Sequence, residues 1–261
     1  MELLNVDLLD EARGKMLAAV KGLPLQVETV PLSRALARTL VENVTAQEDI
    51  PAFTRSTVDG YAVRAADTAG AGESIPAFLT LTGRVEMGEE TPLDLAAGQC
   101  AYVPTGGMLP LNADAVVMVE YCEPFAPNNV AIYEAVSPGR NVIQRGDDAR
   151  RGETVLRAGT RIRAQEIGVL AAAGITQVPV YAPLRMAILS TGDELVSPGE
   201  APLTGQVRDV NTAALTAQAE TAGYRVTNTL VLRDEESLIY EAVRSSMAEN
   251  DIVLLSGGSS P

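Results

Sequence analysis

The sequence contains no histidine among its 261 residues. This absence excludes Ser-His-Asp and Cys-His nucleophile arrangements, zinc or iron sites with histidine ligands, and the usual general base near neutral pH. Cysteine is almost as scarce, because Cys100 and Cys122 are the only two and form no Cys-x-x-Cys motif. We expect both to be buried free thiols rather than a disulfide. Any chemistry must then depend on carboxylates, lysine, arginine, hydroxyls and the backbone.

Basic residues and long apolar runs are also few. The chain has 20 Lys and Arg against 34 Asp and Glu, a net charge of −14 that repels a phosphate backbone, so nucleic acid is not an expected partner. No apolar run approaches the roughly 20 residues that a membrane helix needs. The N-terminus lacks the basic and apolar regions of a secretory signal. We therefore expect no membrane partner and a cytoplasmic location. A hydrophobic content of 46% is typical of a globular protein. The length of 261 residues predicts about two domains, with three if one is small.

Helical patterns occur on both sides of the central region. Apolar residues at helical spacing predict a helix over residues 8–20, with Asp7 as its N-cap. A second, shorter amphipathic helix is predicted after Pro31, and its apolar face contains Leu32, Leu36 and Leu40. A third is predicted over residues 164–173, followed by a strand over 176–181. Residues 1–50 and 152–182 are thus interpreted as one elongated helical and extended domain.

Residues 51–151 have a different character. Glycines and prolines separate short apolar runs, which predicts an all-β domain inserted into the first domain. The runs are 78–81, 100–103 and 115–119.

Residues 183–261 alternate strands with helices. Strands are predicted over 186–190, 225–232 and 251–255, with helices over 212–222 and 235–248. This order is typical of a parallel βαβαβ sheet, so the fold class is multi-domain α+β and α/β. Ligands of open α/β sheets bind outside the carboxyl ends of the strands. The loops after these strands should therefore contain functional residues.

Two of these loops have suitable chemistry. Residues 190–194 follow a strand with a glycine and two carboxylates, Asp193 and Glu194, which suit a hard cation. Residues 256–260 supply hydroxyls and amides that can surround an anion. Alone, the first loop is explained equally well as an acidic turn, and the second is more simply explained as a flexible Gly/Ser turn. Together with a second carboxylate loop over residues 232–235, they favour a site for magnesium and phosphate at one sheet edge.

The β domain contributes three further stretches in which carboxylates or hydroxyls lie next to glycine, residues 56–62, 104–107 and 145–148. Ordinary turns are the simpler explanation of these patterns. Arginines cluster near the third stretch, so a local anion site involving Arg140 and Arg145 competes with a set of surface ion pairs. The acidic candidates for such pairs are Asp147, Asp148 and Glu153.

Nine stretches in collinear order strengthen the functional interpretation. They are Ser56–Ala62, Pro104–Gly106, Ala113–Val117, Gly139–Asn141, Arg145–Asp148, Leu189–Leu195, Asp209–Thr212, Arg233–Asp234 and Ser256–Gly258. Taken together, they resemble the molybdopterin molybdenumtransferases, known as MoeA in bacteria and as the gephyrin E domain in animals. The resemblance covers essentially the whole chain.

This resemblance implies a domain plan and a reaction. The family has an elongated first domain, an inserted β domain, a three-layer α/β domain and a C-terminal β-barrel domain. It inserts molybdate into adenylylated molybdopterin with magnesium and releases AMP. It works as a homodimer whose sites combine the α/β domain of one subunit with the β domain of the other. A MogA-like molybdopterin adenylyltransferase is the implied partner protein.

The resemblance also implies roles for individual residues. Asp59, Thr105 and Asp148 are expected to position molybdate, metal or ligand across the dimer interface. Glu194 and Asp234 are expected to contact magnesium or the pterin nucleotide. The residues expected to bind the cofactor are Thr191, Gly192, Asp193, Ser256, Gly257, Gly258 and Ser259.

One departure from the family pattern concerns the last residues. Pro261 stands where the family has valine, and the Asp and two Lys that follow in the family are absent from this sequence. We expect the longer parent protein to be the enzyme and this chain, which ends within the third domain, to be inactive. A non-catalytic pterin-binding module and a dimerising scaffold remain alternatives. The sequence leaves open molybdenum or tungsten as the metal, and the identity of the acceptor enzyme.

Overall fold

A computed structural model describes residues 7–257 of the chain. These residues divide into two compact units. The first contains the described residues up to Glu42, Ala158–Ile167 and those from Thr176 onward, and the second contains Asn43–Arg157 and Gly168–Ile175. No helix in the described part of the chain is long and apolar enough to cross a membrane.

The elements alternate between short strands and a few helices. The α-helices are α1 (Leu9–Val20), α2 (Ala164–Ala172), α3 (Asn211–Ala222) and α4 (Glu236–Glu249). The strands are β1 (Val27–Pro31), β2 (Val44–Thr45), β3 (Arg55–Ser56), β4 (Gly60–Val63), β5 (Ala77–Arg84), β6 (Gln99–Val103), β7 (Ala115–Met118), β8 (Cys122–Ala126), β9 (Asn129–Ile132), β10 (Val142–Ile143), β11 (Thr154–Leu156), β12 (Gln177–Tyr181), β13 (Arg185–Thr191), β14 (Leu195–Val196), β15 (Val207–Arg208), β16 (Arg225–Leu232) and β17 (Ile252–Ser256).

The second unit is built around a six-stranded sheet in the order β7-β4-β6-β5-β9-β8. Successive strand residues point to opposite faces, and both members of the pairs Ala62 and Val63 and Cys100 and Ala101 are fully buried. The sheet therefore has a hydrophobic core on each face, which confirms the β character predicted for the central region. Both cysteines are free as expected, but only Cys100 is fully buried and Cys122 is partly exposed. Burial raises the pKa of each thiol to about 12. Neither thiol is poised as a nucleophile.

The first helix is confirmed, with a different N-cap. Residue Leu8, not Asp7, occupies the N-cap position, and its backbone N–H donates to Oε2 of Glu11 at 3.2 Å. Asp7 instead forms an ion pair with Lys15 at 2.6 Å. None of the residues of α1 is buried within the described chain.

The prediction of a second helix after Pro31 is wrong. Only Leu32–Arg34 forms a 3₁₀ turn, and Ala37 adopts a left-handed φ of +64° that a continuing helix excludes. Leu40 is fully buried and forms a bridge with Val180, whereas Leu36 is 60% exposed. The leucines do not share one face because pairing with a distant segment extends the backbone there.

Helix α2 begins at an ion pair and ends before a glycine. The guanidinium of Arg163 contacts the Glu166 carboxylate (Nη2–Oε1 2.8 Å), and the Arg163 backbone N–H donates to Oε2 at 2.9 Å. Hydrogen bonds from the Arg163 side chain lower the pKa of Glu166 to about 2. Gly174 has a φ of +72°, consistent with its predicted role in ending the helix.

The predicted parallel sheet is present in the first unit, in the order β16-β13-β17. Its strands and helices agree with the sequence prediction to within one residue at each end. From β13 the chain passes through α3 to β16, and then through α4 to β17 on the other side of β13. The strand order therefore reverses at β13, and a crevice for ligand is expected between the carboxyl ends of β13 and β17.

Candidate functional site

The carboxyl ends of the three parallel strands lie at one edge of the sheet. Thr191, the last residue of β13, pairs with Leu232, the last residue of β16. Ser190 pairs with Ser256, the last residue of β17. The loops that the sequence singled out are therefore brought together by the register of the sheet.

The loop after β13 folds Glu194 back over a glycine. The Gly192 backbone N–H donates to the Leu232 carbonyl at 3.1 Å, which fixes the turn to the neighbouring strand. A Cβ at Gly192 would lie 2.8 Å from Oε2 of Glu194. A side chain at this position would displace the Glu194 carboxylate, so glycine leaves the space in which that carboxylate lies. The pairing of β14 with β15 holds the backbone beyond this turn.

The loop after β16 adds a further carboxylate. The backbone N–H of Asp234 approaches Oδ1 of Asp193 at 3.4 Å, a long hydrogen bond that links the two loops. Asp193, Glu194 and Asp234 are all exposed. Their carboxylates are accessible to a ligand at this edge.

The loop after β17 lies against the end of β13. A Cβ at Gly257 would lie 2.5 Å from both the carbonyl oxygen and Oγ1 of Thr191, and Gly257 has a φ of +129°. Only glycine permits this close approach of the two strand ends. Two further predicted binding residues, Gly258 and Ser259, lie outside the described residues.

The start of α3 supplies polar groups to which the sequence assigned no role. Asp209 is buried, and its Oδ1 accepts a hydrogen bond from the Thr212 backbone N–H at 3.1 Å. The Thr212 hydroxyl lies 2.7 Å from that of Ser190, and Asn211 Nδ2 donates to Ser256 Oγ at 3.1 Å. A signal was available, since an aspartate shortly before a helix commonly accepts a hydrogen bond from a backbone N–H of the first turn. This network links α3 to β13 and β17 at the crevice.

The carboxylates do not form a closed metal cage. Among residues 7–257, no group of three or more Asp, Glu, Cys or His side chains is arranged to hold a metal ion. Magnesium commonly takes one or two protein carboxylates and completes its shell with water and phosphate oxygens. An ion that binds together with a phosphate ligand would therefore need only one or two of the carboxylates at this edge.

The second unit brings together Asp59 and Thr105, which are 46 residues apart in sequence. Oδ1 of Asp59 accepts hydrogen bonds from the Thr105 backbone N–H at 2.6 Å and from its hydroxyl at 3.0 Å. The backbone bond first, and then the hydroxyl, lower the pKa of Asp59. The side chain is therefore an ionised and oriented carboxylate on an exposed loop at neutral pH.

Arg145 is engaged in an ion pair. Its Nε lies 2.7 Å from Oδ2 of Asp49, and the Arg151 backbone N–H donates to the other carboxylate oxygen at 2.9 Å. These hydrogen bonds, that of Arg151 first, lower the pKa of Asp49. The contact favours the ion-pair interpretation of the arginine cluster, with Asp49 in place of the acids named from the sequence. Arg140 and Asp148 are exposed, and within residues 7–257 no hydrogen bond or ion pair joins their side chains to Asp59.

Comparison with known protein families gives matches over both parts of the chain. A family model described as the MoeA N-terminal region (domain I and II) matches residues 8–174. A second model, described as a probable molybdopterin binding domain, matches residues 187–261.

Individual relatives agree with these models. The molybdopterin molybdenumtransferase of Bacillus subtilis is 33% identical over 236 residues, which are 89% of this chain and 55% of that protein. The molybdopterin molybdenumtransferase of Haemophilus influenzae is 31% identical over 250 residues, 96% of this chain and 60% of that protein. The chain thus spans between half and two thirds of the length of these relatives. The crystal structure of the molybdopterin biosynthesis MoeA protein from Pyrococcus horikoshii OT3 matches with a TM-score of 0.81 at 36% identity, covering 89% of this chain and 62% of that one.

Proposed function

The chain belongs to the MoeA family, and from this premise we propose that its longer parent protein is a molybdopterin molybdenumtransferase of molybdenum cofactor biosynthesis. The reaction proposed is the magnesium-dependent insertion of molybdate into adenylylated molybdopterin, with release of AMP. One observation supports this most directly: three acidic side chains and the Ser256-Gly257 turn lie at the same carboxyl edge of the parallel sheet. Anionic nucleotides with magnesium are suited to such an edge.

The crevice between β13 and β17 is the proposed position of the pterin nucleotide. The hydroxyls of Ser190, Thr212 and Ser256 lie at this crevice and are linked to one another or to Asn211. Phosphate oxygens are acceptors, so these hydroxyls and the amides that follow β17 would donate to them. Buried Asp209 fixes the start of α3, which keeps the hydroxyls in place.

Glu194 and Asp234 are the residues proposed to hold magnesium when the nucleotide is bound. The ion would supply Lewis-acid polarisation of the pyrophosphate linkage. Glu194 can take this role because Gly192 leaves room for its carboxylate above the turn. None of these roles requires a histidine.

Asp59 and Thr105 are proposed to position molybdate or its ligand. Asp59 accepts the Thr105 hydroxyl proton in a hydrogen bond, which orients the hydroxyl oxygen and leaves its lone pairs available. In this proposal the site is shared between two subunits of a homodimer. A MogA-like adenylyltransferase would deliver the substrate, and Asp148 would assist at the same surface.

The full-length parent, incubated with adenylylated molybdopterin and molybdate, tests the proposal. AMP release and molybdenum incorporation should both require magnesium and stop on chelation. Binding of the pterin nucleotide without AMP release would instead indicate a non-catalytic binding module. The 261-residue polypeptide, assayed in parallel, is expected to give no turnover, and full-length rates from it would contradict that prediction.

A further inference from the structure

The first unit contains a cavity of about 540 Å³ at the opposite end of β13 from the proposed reaction site. Leu184, which precedes β13, lines it, whereas the site residues follow Thr191 at the other end of the strand. Seven strand residues at about 3.3 Å each separate the two by about 20 Å. The cavity therefore lies outside the proposed reaction site.

Apolar side chains form much of the cavity wall. Leu25 and Leu36 line it although they are 51% and 60% exposed, and Leu184, Tyr181 and Tyr224 contribute partly buried surface. The volume lies within the range of about 300–1,000 Å³ that is usual for small-molecule sites. Exposed leucines around a concavity of this size favour an occupant with an apolar body, because covering them removes apolar area from water.

The two charged residues of the lining are both arginines. Arg38 lies in the wall, but its guanidinium already pairs with Glu28 and donates to the Tyr181 carbonyl at 2.7 Å. Arg161 is different, since no residue in the described part of the chain forms a salt bridge with it. Its Nη2 lies 3.8 Å from the position of a Cβ at Gly223, so it sits beside the C-terminal end of α3. The positive charge there offsets the partial negative charge of the helix end.

This local charge contrasts with the whole chain, whose net charge is −14. An adjoining cavity of about 350 Å³ shares Arg38 with the first, adds Arg185 and Arg225, and also contains the acids Glu28 and Asp251. Arg185 pairs with Asp251 at 3.2 Å, whereas no described residue forms an ion pair with Arg225. Two guanidinium groups thus remain available in this region of an otherwise acidic protein.

We propose that the larger cavity binds a small molecule with an apolar ring system and one anionic group. The ring would pack on the leucines and on Tyr224, and the anion would accept hydrogen bonds from Arg161. Charge-assisted bonds to guanidinium are among the strong ones, and the Arg161 side chain forms no ion pair within residues 7–257. A carboxylate, a sulfonate or a phosphate would satisfy this chemistry.

Two fluorescent probes test the proposal on the full chain. Anilinonaphthalene sulfonate combines an apolar ring system with one anionic group, and phenylnaphthylamine has the same rings without the sulfonate. The sulfonate probe should bind saturably at one site per chain. The Arg161→Gln variant should raise its dissociation constant about tenfold and leave that of the neutral probe unchanged.

Matched variants establish the position of the site. Ala222→Phe fills the cavity from the last turn of α3 and should weaken both probes, whereas Ala217→Phe, on the same helix but outside the lining, should weaken neither. Arg244→Gln removes an exposed arginine that does not line the cavity, and it should leave both affinities unchanged. Circular dichroism of each variant confirms its fold. Binding that is not saturable, or that responds equally to Arg161→Gln and Arg244→Gln, would overturn the proposal.

Discussion

Gly60 occupies a position where glycine is needed for packing, although the neighbouring sequence indicates only a turn. The Asp59-Gly60 pair is typical of a turn, but Gly60 begins the buried strand β4. A Cβ there would lie 2.0 Å from the Val117 carbonyl oxygen. The glycine is needed because β4 and β7 approach each other so closely, and this follows from tertiary packing that no local pattern reveals.

The Gly60→Ala variant should therefore lose about 1–3 kcal/mol of unfolding free energy, since the added methyl group displaces backbone in a packed sheet. Urea unfolding monitored by circular dichroism measures the loss. Gly199→Ala is the matched control, because an added Cβ there meets no atom within 4 Å, and it should change stability by less than about 0.5 kcal/mol. Equal effects of the two substitutions would contradict the packing explanation.

Glu194 and Asp59 allow a test of chemical roles at the same scale. In the full-length protein, Glu194→Gln and Asp59→Asn should each lower turnover by more than they weaken pterin-nucleotide binding. Each substitution removes the negative charge of a side chain and keeps that side chain's shape. Steady-state kinetics and equilibrium binding give the two quantities. Glu200→Gln, on an exposed turn, should alter neither. Equal losses of turnover and affinity would indicate simple binding roles.

At the scale of elements, prediction succeeded where the signals are local. The three strands of the parallel sheet and the two helices after residue 183 were predicted to within one residue, because their periodicity and the glycine at 223 act within a few positions. The two-residue strands β14 and β15 were not predicted. The segment after Pro31 was predicted wrongly because Leu40 pairs with Val180, which lies 140 residues later. The spacing of apolar residues within a segment carries no information about a pairing partner that is so distant in sequence.

The same distinction applies to the candidate site. The acidic loops and the Ser256-Gly257 turn follow strands, so their meeting at one edge could be predicted from the parallel order. Asp59 and Thr105 could be paired only through the family resemblance, since nothing local connects them. The hydrogen bond that Asp209 accepts at the start of α3 had a recognisable signal in the sequence. Its link to the crevice through Thr212 and Ser190 depends on the folded sheet.

The ion pair at the start of α2 makes the stability of the protein depend on pH. The pKa of Glu166 is about 2 in the folded chain, below its ordinary value of 4.5, so its contribution to stability is present above about pH 4.5 and is lost as the pH falls toward 2. Glu166→Gln should destabilise the protein at neutral pH, and the difference from wild type should narrow below about pH 4.5. Urea unfolding of both proteins, from neutral pH to below about pH 4.5, measures this difference in unfolding free energy. Glu241→Gln, which removes an exposed acid of α4, is the control for the loss of one negative charge.

At the scale of the whole molecule, the proposed homodimer has a test in mixed subunits. If one site combines Glu194 of one chain with the partner subunit's Asp59, inactive Glu194→Gln and Asp59→Asn proteins should regain activity when mixed under exchange. Random exchange gives half heterodimers, each with one intact site, so about one quarter of wild-type activity is expected. Mixing without recovery would place both residues in a site within one subunit.

The net charge of −14 also bears on assembly. Two such chains repel each other, and salt screens that repulsion over a Debye length of about 8 Å at physiological ionic strength. Dimerisation should therefore strengthen with added salt, which sedimentation analysis at several salt concentrations measures. Weakening with salt would indicate that complementary ion pairs dominate the interface.

The position of β13 between two later strands has a consequence for the order of folding. Its pairs with β16 join residues about 40 positions apart, and its pairs with β17 join residues 66 positions apart, as in Met186 with Ile252. Contacts that close longer loops form more slowly, so β17 should dock last. The crevice between β13 and β17 then exists only after that final step. A nucleotide bound in the crevice would contact both strands and stabilise their pairing. It should therefore slow the dissociation of β17 and the unfolding of the whole sheet.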